Sequence, residues 1–205
     1  MTGGKKVKSL LGKTQMHKSE ALNIIANNVA KCTLCEELTN YRKENNYQTV
    51  PGTGNPNAQI MIVGEAPGKN EAEQGLPFVG RAGNLLTNII ESCGWERDDI
   101  FIANVLKCRP PGNRDPSPAE ASNCRKYLDL QIQCVQPQWI ICLGKISSCL
   151  LLGYTNDVSM GSLRGIHEYQ GKKVLCTYHP SYLLRNPSAK ELVWEDLQPV
   201  VKEVQ

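Results

Sequence analysis

The residues best suited to chemistry are concentrated in one segment, residues 64–83, which has the sequence GEAPGKNEAEQGLPFVGRAG. It holds five glycines, two prolines and three glutamates, and it follows a short apolar run at 59–63. A glycine-rich loop after a strand is a common phosphate site, but the glutamates would repel a phosphate. The composition therefore favours a different ligand, one that needs close backbone approach and nearby carboxylates.

Two further polar residues stand at the ends of apolar runs. Asn104 lies at the end of the run 100–105, and His179 leaves the run 173–180. In open α/β sheets, ligands bind in the crevice outside the carboxyl ends of the strands. We therefore expect the glutamate-containing loop, Asn104 and His179 to meet at one crevice.

Each of these residues also has an ordinary structural explanation. The glycines would serve a tight turn, and glutamates are usually solvated surface charges. Asn104 would bond to its own backbone, Phe78 would be a core residue, and His179 before Pro180 would belong to a turn. Each of these residues, taken alone, is better explained by structure than by function. Their joint placement after consecutive strands favours a functional site.

The elements that must position these residues alternate along the chain. Strands are predicted at four apolar runs, 59–63, 100–105, 139–144 and 173–180. Helical patterns lie between them, and the sequence from Ser117 to Glu120 has the form of a capping box that starts a helix to about Val135. This alternation predicts an α/β fold, a three-layer α/β/α sandwich around a central, largely parallel four-stranded sheet.

Length and charge limit the class of protein. With 205 residues, 40% of them hydrophobic, the chain can form one domain, expected at 18–205 after a flexible basic tail at 1–17. The net charge of +3 permits a nucleic-acid partner without requiring one. We find neither a signal peptide nor an apolar stretch of membrane-spanning length, which predicts an intracellular, soluble protein.

Nine cysteines are unusual for an intracellular chain, where disulfides are disfavoured. Cys32 and Cys35 form a Cys-x-x-Cys pair at a helix end, and Cys108 and Cys124 follow later in the chain. A zinc ribbon would need a second Cys-x-x-Cys pair, and a thioredoxin-like pair normally opens a helix. Four thiolates from separate elements suit an iron–sulfur cluster, so a metal or cluster is favoured over free thiols. The remaining cysteines lie in apolar surroundings typical of core residues: Cys93, Cys134, Cys142, Cys149 and Cys176.

Three segments together resemble the family 4 uracil-DNA glycosylases, which carry a [4Fe-4S] cluster. They are GEAPGKNEAEQGLPFVGRAGNLL, NVLKCRPPGNRDPSPAE and HPSYLLRN, and the resemblance covers nearly the whole chain from Cys32 to the last helix. One departure is Lys69-Asn70, which interrupts the acidic run that many members have after GEAPG. A related group traps uracil covalently through a His on an inserted loop, and this chain has no such His in RPPGNRDPSP. The resemblance therefore implies turnover.

The resemblance also implies roles for individual residues. The cluster ligands would be Cys32, Cys35, Cys108 and Cys124. The uracil pocket would contain Gly64, Ala66, Phe78 as the stacking ring and Asn104 as the base reader. The catalytic residues would be Glu65, Glu71, His179 and Asn113. The DNA contacts would be Arg109, Arg114 and Arg185 at phosphates, together with Ser181, and with Leu183 or Leu184 as the wedge that fills the emptied stack.

On this interpretation a monomer flips uracil out of single- or double-stranded DNA and hydrolyses the N-glycosidic bond, which leaves an abasic site and free uracil. His179 would donate a hydrogen bond to uracil O2, while Glu65 or Glu71 would position water or stabilise the cationic sugar. Two other classes stay open at the level of the residues. One is an iron–sulfur electron carrier, and the other is an α/β hydrolase of free nucleosides or nucleotides.

Overall fold

A computed structural model of the chain describes residues 17–155 and 157–204, so the basic tail predicted at 1–17 lies outside the described residues except for His17. Within these ranges the helices are α1 (Lys18–Ala30), α2 (Glu36–Glu44), α3 (Lys69–Gln74), α4 (Arg81–Ser92), α5 (Pro118–Val135), α6 (Lys145–Leu152), α7 (Met160–Leu163), α8 (Pro180–Arg185) and α9 (Lys190–Glu203). The strands are β1 (Thr53–Gly54), β2 (Ile60–Gly64), β3 (Phe101–Asn104), β4 (Trp139–Leu143), β5 (Gly165–Tyr169) and β6 (Lys172–Thr177). No helix in the described part is long and apolar enough to cross a membrane.

The sheet has the strand order β1-β3-β2-β4-β6-β5. The four inner strands are parallel, and the two edge strands, β1 and β5, are antiparallel to their neighbours. The predicted α/β class is confirmed, and the four predicted strands are the parallel ones. The predicted number of strands is wrong, because β1 has only two residues and β5 alternates in burial instead of forming an apolar run.

Helices cover both faces of the sheet and make three layers. Ile60 and Ile62 of β2 face one core, which α4 and α9 complete, whereas Met61 and Val63 face a second core completed by α5. This alternation follows from the two-residue period of a strand, and it explains why the inner strands are apolar on both faces. Helix α1 packs on the outer side of α5, where Ile25 and Val29 are buried against it.

The strand register brings the polar strand ends to one edge. Gly64 at the end of β2 pairs with Asn104 at the end of β3, and Leu143 of β4 pairs with Thr177 of β6, two residues before His179. The loops that follow these strands therefore open on the same side of the sheet. The predicted meeting of these loops at one crevice is confirmed.

Local sequence sets where the helix behind this crevice begins. Helix α5 starts with the predicted capping box, in which Ser117 Oγ accepts from the Glu120 amide and a Glu120 carboxylate oxygen accepts from the Ser117 amide. Proline at the first helical position has a φ that suits a helix start. The box fixes where α5 begins, and the loop between β3 and α5 closes one side of the crevice.

Candidate active site

A cavity of about 780 Å³ opens at the carboxyl ends of the parallel strands. A cavity of this size holds a drug-sized molecule. Most residues that the sequence places in the site line it: Glu65, Ala66, Glu71, Phe78, Asn104, Asn113, Arg114, His179, Ser181 and Arg185.

Gly64 allows two of these side chains to approach its backbone. A Cβ atom on Gly64 would collide with Oδ1 of Asn104 and would lie 2.7 Å from Cζ of Phe78. Only glycine therefore lets the Asn104 amide and the Phe78 ring occupy their positions. The Asn104 side-chain amide has no hydrogen-bond partner among residues 17–155 and 157–204, while Lys107 Nζ donates to its backbone carbonyl oxygen over 2.7 Å. The amide is buried, lines the cavity and keeps its donor and acceptor for a ligand.

Phe78 has an unusual backbone conformation that its neighbours enforce. Its φ of 53° lies in the left-handed region, which bulky side chains rarely adopt. Arg97 donates from one guanidinium nitrogen to the carbonyl oxygens of Pro77 and Phe78, both at 3.0 Å, and from another to Thr87 Oγ1 at 3.1 Å. A Cβ on Gly83 would collide with the Phe78 carbonyl oxygen, so glycine is required where α4 passes this loop. Such enforced strain is typical of functional sites.

Glu71 holds the loop together. Its Oε1 accepts hydrogen bonds from the amides of Val79 and Gly80, each at 3.1 Å, just before α4 begins. A carboxylate is favoured there because the first amides of a helix are unpaired and carry partial positive charge. Glu71 therefore fixes the segment that carries Phe78, and one of its carboxylate oxygens is committed to that task.

Glu65 is the carboxylate that remains for a ligand. Burial, together with the nearby charge of Asp115, raises the pKa of Glu65 to about 7. Its carboxylate lines the cavity and accepts no hydrogen bond from another residue of the described part of the chain. A carboxyl group with a pKa near neutrality and an open face is suited to act as a general base.

His179 is held in one orientation. Its Nδ1 accepts a hydrogen bond from the Ser181 amide at 3.1 Å and lies 2.8 Å from the Ser181 hydroxyl. Burial lowers the pKa of His179 to about 4, with Glu71 opposing the shift and Arg185 adding to it. The imidazole is therefore neutral at physiological pH, and because Nδ1 is an acceptor, Nε2 carries the proton. The ring lies beside Phe78, with 5.6 Å between the ring centroids, so its Nε2–H is a donor at the cavity.

The loop after β3 carries two of the arginines predicted to contact DNA, Arg109 and Arg114, and their partners differ. Arg109 donates to Asn113 Oδ1 at 2.8 Å and to the Tyr47 hydroxyl at 2.7 Å, so it positions Asn113 at the cavity. Arg114 forms ion pairs with Glu120 and with Glu37. These pairs anchor the loop, and Arg114 also lines the cavity, so its predicted phosphate contact stays a prediction.

Helix α8 separates two leucines that the sequence treated alike. Leu183 is fully buried in the core, whereas 40% of Leu184 is exposed. The predicted wedge is therefore wrong for Leu183, because it cannot leave the core without opening a cavity. Ser181 lines the cavity, and its amide and hydroxyl contact the His179 ring and orient the imidazole; its predicted DNA contact stays a prediction.

The four predicted ligand cysteines lie near one another. Cys35, Cys108 and Cys124 belong to one apolar cluster with Leu38 and Leu106. Burial, opposed by Arg42 and aided by the other three thiols, raises the pKa of the Cys108 thiol to about 12. No group of three or more His, Cys, Asp or Glu side chains within 17–155 and 157–204 is compact enough for a single metal ion. Four thiolates are the usual donor set of a [4Fe-4S] cluster, and the other three thiols lie close enough to Cys108 to act on its pKa.

Three residues near the cavity were missed by the sequence interpretation. Tyr178 and Tyr182, which precede and follow His179 in the sequence, both line the cavity. Their four-residue spacing could have indicated that the two rings lie on one face. Arg97 comes from the turn before β3 and reaches Phe78 across nineteen residues of chain. A pattern-based interpretation has no signal for such a contact.

Comparisons with known proteins show the family of the chain. The model of the uracil DNA glycosylase superfamily matches residues 51–198. The chain is 44% identical to a Type-4 uracil-DNA glycosylase of Saccharolobus solfataricus over 87% of this chain and 84% of that one. It is 41% identical to the Type-4 protein of Thermotoga maritima, over 88% and 93% of the two chains, and 38% identical to that of Archaeoglobus fulgidus, over 88% and 92%. The chain therefore belongs to the uracil DNA glycosylase superfamily, in its type-4 group.

Proposed function

We propose that this protein is a uracil-DNA glycosylase of base excision repair, which flips uracil out of DNA and hydrolyses its N-glycosidic bond to leave an abasic site. The observation that carries the proposal is the convergence of three groups on one cavity: an aromatic ring, an unpaired amide and a neutral histidine donor. All of them come from one chain, so a monomer suffices.

Recognition of uracil follows from Phe78 and Asn104. A base stacked on an aromatic ring gains roughly 1–3 kcal/mol. The free amide of Asn104 offers an acceptor to N3–H and a donor to O4 of uracil. Cytosine has the reverse pattern at these positions, so its entry would leave buried polar groups unpaired, which is strongly disfavoured.

Bond cleavage moves negative charge onto the departing uracil, and His179 is suited to receive it. Its Nε2–H donates to O2, and the interaction strengthens as the oxygen becomes an oxyanion. A neutral imidazole suits this role because its proton donor is present throughout the physiological pH range. The Ser181 amide keeps the donor on Nε2.

The attacking water is assigned to Glu65. While it is ionised, its carboxylate balances the cationic character of the sugar and orients the water, and it takes up the proton of the water as the water attacks the sugar carbon. We assign Asn113, which Arg109 holds, to the same water. Glu71 acts indirectly, since its hydrogen bonds to Val79 and Gly80 fix the loop that carries Phe78.

A [4Fe-4S] cluster held by Cys32, Cys35, Cys108 and Cys124 completes the proposal. When bound, it supplies covalent cross-links between the segment before α2, the loop after β3 and helix α5. The hydrolysis transfers no electrons, so its steps belong to the residues of the cavity. Cys108 is only four residues from Asn104, so the cross-links also steady the strand end that reads the base.

The DNA is expected to cross the cavity mouth. Arg185 lines the cavity and Arg109 stands beside Asn113, so both are assigned to phosphates. Leu184 is exposed on α8 and is assigned as the wedge. A repair enzyme acts where the genome lies, so the proposed location is the cytoplasm, at the nucleoid, if the source is a prokaryote.

A single assay tests the function. Labelled oligonucleotides with uracil, thymine or cytosine at one position are incubated with the protein, and abasic sites are cleaved with alkali. Cleavage of the uracil strand alone is expected. Release of uracil from free deoxyuridine but not from the oligonucleotide would favour a nucleoside hydrolase, and redox activity without release would favour an electron carrier.

A further inference from the structure

Two tyrosines form a stack at the mouth of the cavity. The rings of Tyr178 and Tyr182 are nearly parallel, at 15°, and their centroids are 4.8 Å apart. Both residues line the cavity, and 37% of Tyr182 is exposed. Tyr182 belongs to none of the hydrophobic core clusters of the described residues, so core packing does not explain its ring in the cavity.

The Tyr178 ring of this stack is held in place by its neighbours. The Arg164 guanidinium lies over Tyr178, 5.4 Å from the ring centroid, and Arg164 makes a bidentate ion pair with Asp196 at 2.9 Å for both contacts. Tyr178 also packs against the core that contains Leu183. Tyr182 therefore lies on a rigid support and would lose little conformational freedom when a ligand stacks on it.

The position of Tyr182 relative to the uracil site is also fixed. Helix α8 carries Tyr182 and begins at Pro180, and the His179 imidazole caps it through the Ser181 amide. The same hydrogen bond therefore orients His179 and holds the first turn of the helix that presents the tyrosine. Uracil is one small ring, and the cavity of 780 Å³ extends beyond the Phe78 end to the tyrosines.

We propose that Tyr182, supported by Tyr178, is a second base-stacking site that holds a nucleobase next to the flipped uracil in the same strand. The proposal rests on the proposed function, since it needs a DNA strand in the cavity. A nucleobase fits because it presents a flat π-face whatever its sequence, and because Arg185 and Lys145 line the same cavity and can meet the flanking phosphates.

The test removes the ring and the base separately and then together. Single-stranded oligonucleotides carry a 2′-fluoro-arabino-uridine, which resists cleavage, and either a normal base or an abasic analogue on its 5′ or 3′ side. Affinities are measured for the wild type, Tyr182→Leu and Tyr182→Phe, at one salt concentration. Tyr154→Leu is the matched control, because Tyr154 is also an exposed tyrosine that contacts a second ring, His167, but it lies outside the cavity lining.

On one side of the uridine, we expect Tyr182→Leu to weaken binding by roughly 5- to 150-fold when the neighbouring base is present, and by less than about twofold when it is absent. Tyr182→Phe should keep the wild-type affinity, and Tyr154→Leu should change nothing. With 2-aminopurine at that side, its fluorescence should be quenched by the wild type and by Tyr182→Phe but not by Tyr182→Leu.

Two results would overturn the proposal. An equal loss with and without the neighbouring base would make Tyr182 a wedge or a support for the fold, and no loss on either substrate would make it an ordinary surface residue. Failure of the proposed function is distinguishable, because the wild type would then release no uracil from a cleavable strand of any flanking composition.

Discussion

The guanidinium of Arg97 donates to the carbonyl oxygen of Phe78 over 3.0 Å and thereby fixes the backbone of the ring proposed to stack on uracil. The same nitrogen also donates to Pro77, so two consecutive carbonyl groups are held. Phe78 has a φ of 53°, a conformation that costs on the order of 1–3 kcal/mol without support. Arg97 therefore acts on the base through Phe78.

Replacing Arg97 by Met should reduce the contribution of the Phe78 ring to the rate of uracil excision. We expect Phe78→Leu to slow single-turnover uracil excision by roughly 5- to 150-fold in the wild type. In the Arg97→Met background the same change should cost clearly less, with a coupling energy of about 0.5–3 kcal/mol. The double-mutant cycle is measured from excision rates at saturating enzyme.

The matched control for this cycle is Arg125→Met. Arg125 also donates to two consecutive carbonyl groups, those of Leu150 and Leu151, but it lies outside the cavity lining. Its loss should lower the melting temperature while its effect on excision adds to that of Phe78→Leu within about 0.5 kcal/mol. Additivity for Arg97 as well would reduce Arg97 to a stabilising residue.

The pKa of Glu65 predicts how activity depends on pH. Because burial raises this pKa to about 7, the carboxylate is mostly protonated below that pH, and a general base must be ionised. We expect kcat/KM to rise about tenfold per pH unit below pH 7 and to level off above it. His179, with a pKa of about 4, stays neutral over this range and therefore adds no further slope to the pH profile of kcat/KM.

Glu65→Gln should lower kcat/KM and remove the rising limb. Glu73→Gln is its control, since Glu73 lies on helix α3, outside the cavity lining, and pairs there with Lys69. That variant should keep the wild-type profile. An unchanged rising limb in Glu65→Gln would assign the titration to another group.

Base selection should change when Asn104 is altered. In Asn104→Asp the amide donor is lost, so uracil excision should fall by roughly 10²-fold. A carboxyl group that takes up a proton can match the cytosine edge, so slow release of cytosine is expected. Excision from strands with either base measures this. Wild-type uracil activity in the variant would remove Asn104 from the role of base reader.

The sequence could predict the inner part of the fold because each parallel strand is a continuous apolar run that ends at a polar residue. The pairing of Gly64 with Asn104 follows from that pattern. The edge strands could not be predicted in the same way. β1 exists only through its pairing with β3, and β5 is half exposed, so neither has an apolar period of its own.

The residue types of the site could also be predicted, but the role of each individual residue could not. Leu183 and Leu184 are identical in type, and only the direction of α8 buries one and exposes the other. The roles of Glu65 and Glu71 likewise depend on which carboxylate reaches the amides before α4. Such distinctions arise from tertiary packing.

Metal content tests the proposed cluster. Purified protein should be brown, with broad absorption at about 400 nm and about four irons per chain. Cys108→Ser should lose colour and solubility, because it removes a cross-link next to the base-reading strand. Cys93→Ser is the control, since Cys93 lies in the core behind α4. Colourless, fully active wild-type protein with stoichiometric zinc would contradict the cluster.

The proposed role of His179 is tested most directly by the single-turnover rate of His179→Ala, measured with its affinity for uracil-containing DNA and its melting temperature. We expect a rate about 10²–10³-fold below that of the wild type, the usual loss for one oxyanion donor. Binding should change far less, because the hydrogen bond strengthens mainly as charge develops on uracil. A wild-type rate in a protein that is merely less stable would show that His179 only caps α8, and it would contradict a donor role for His179 in uracil excision.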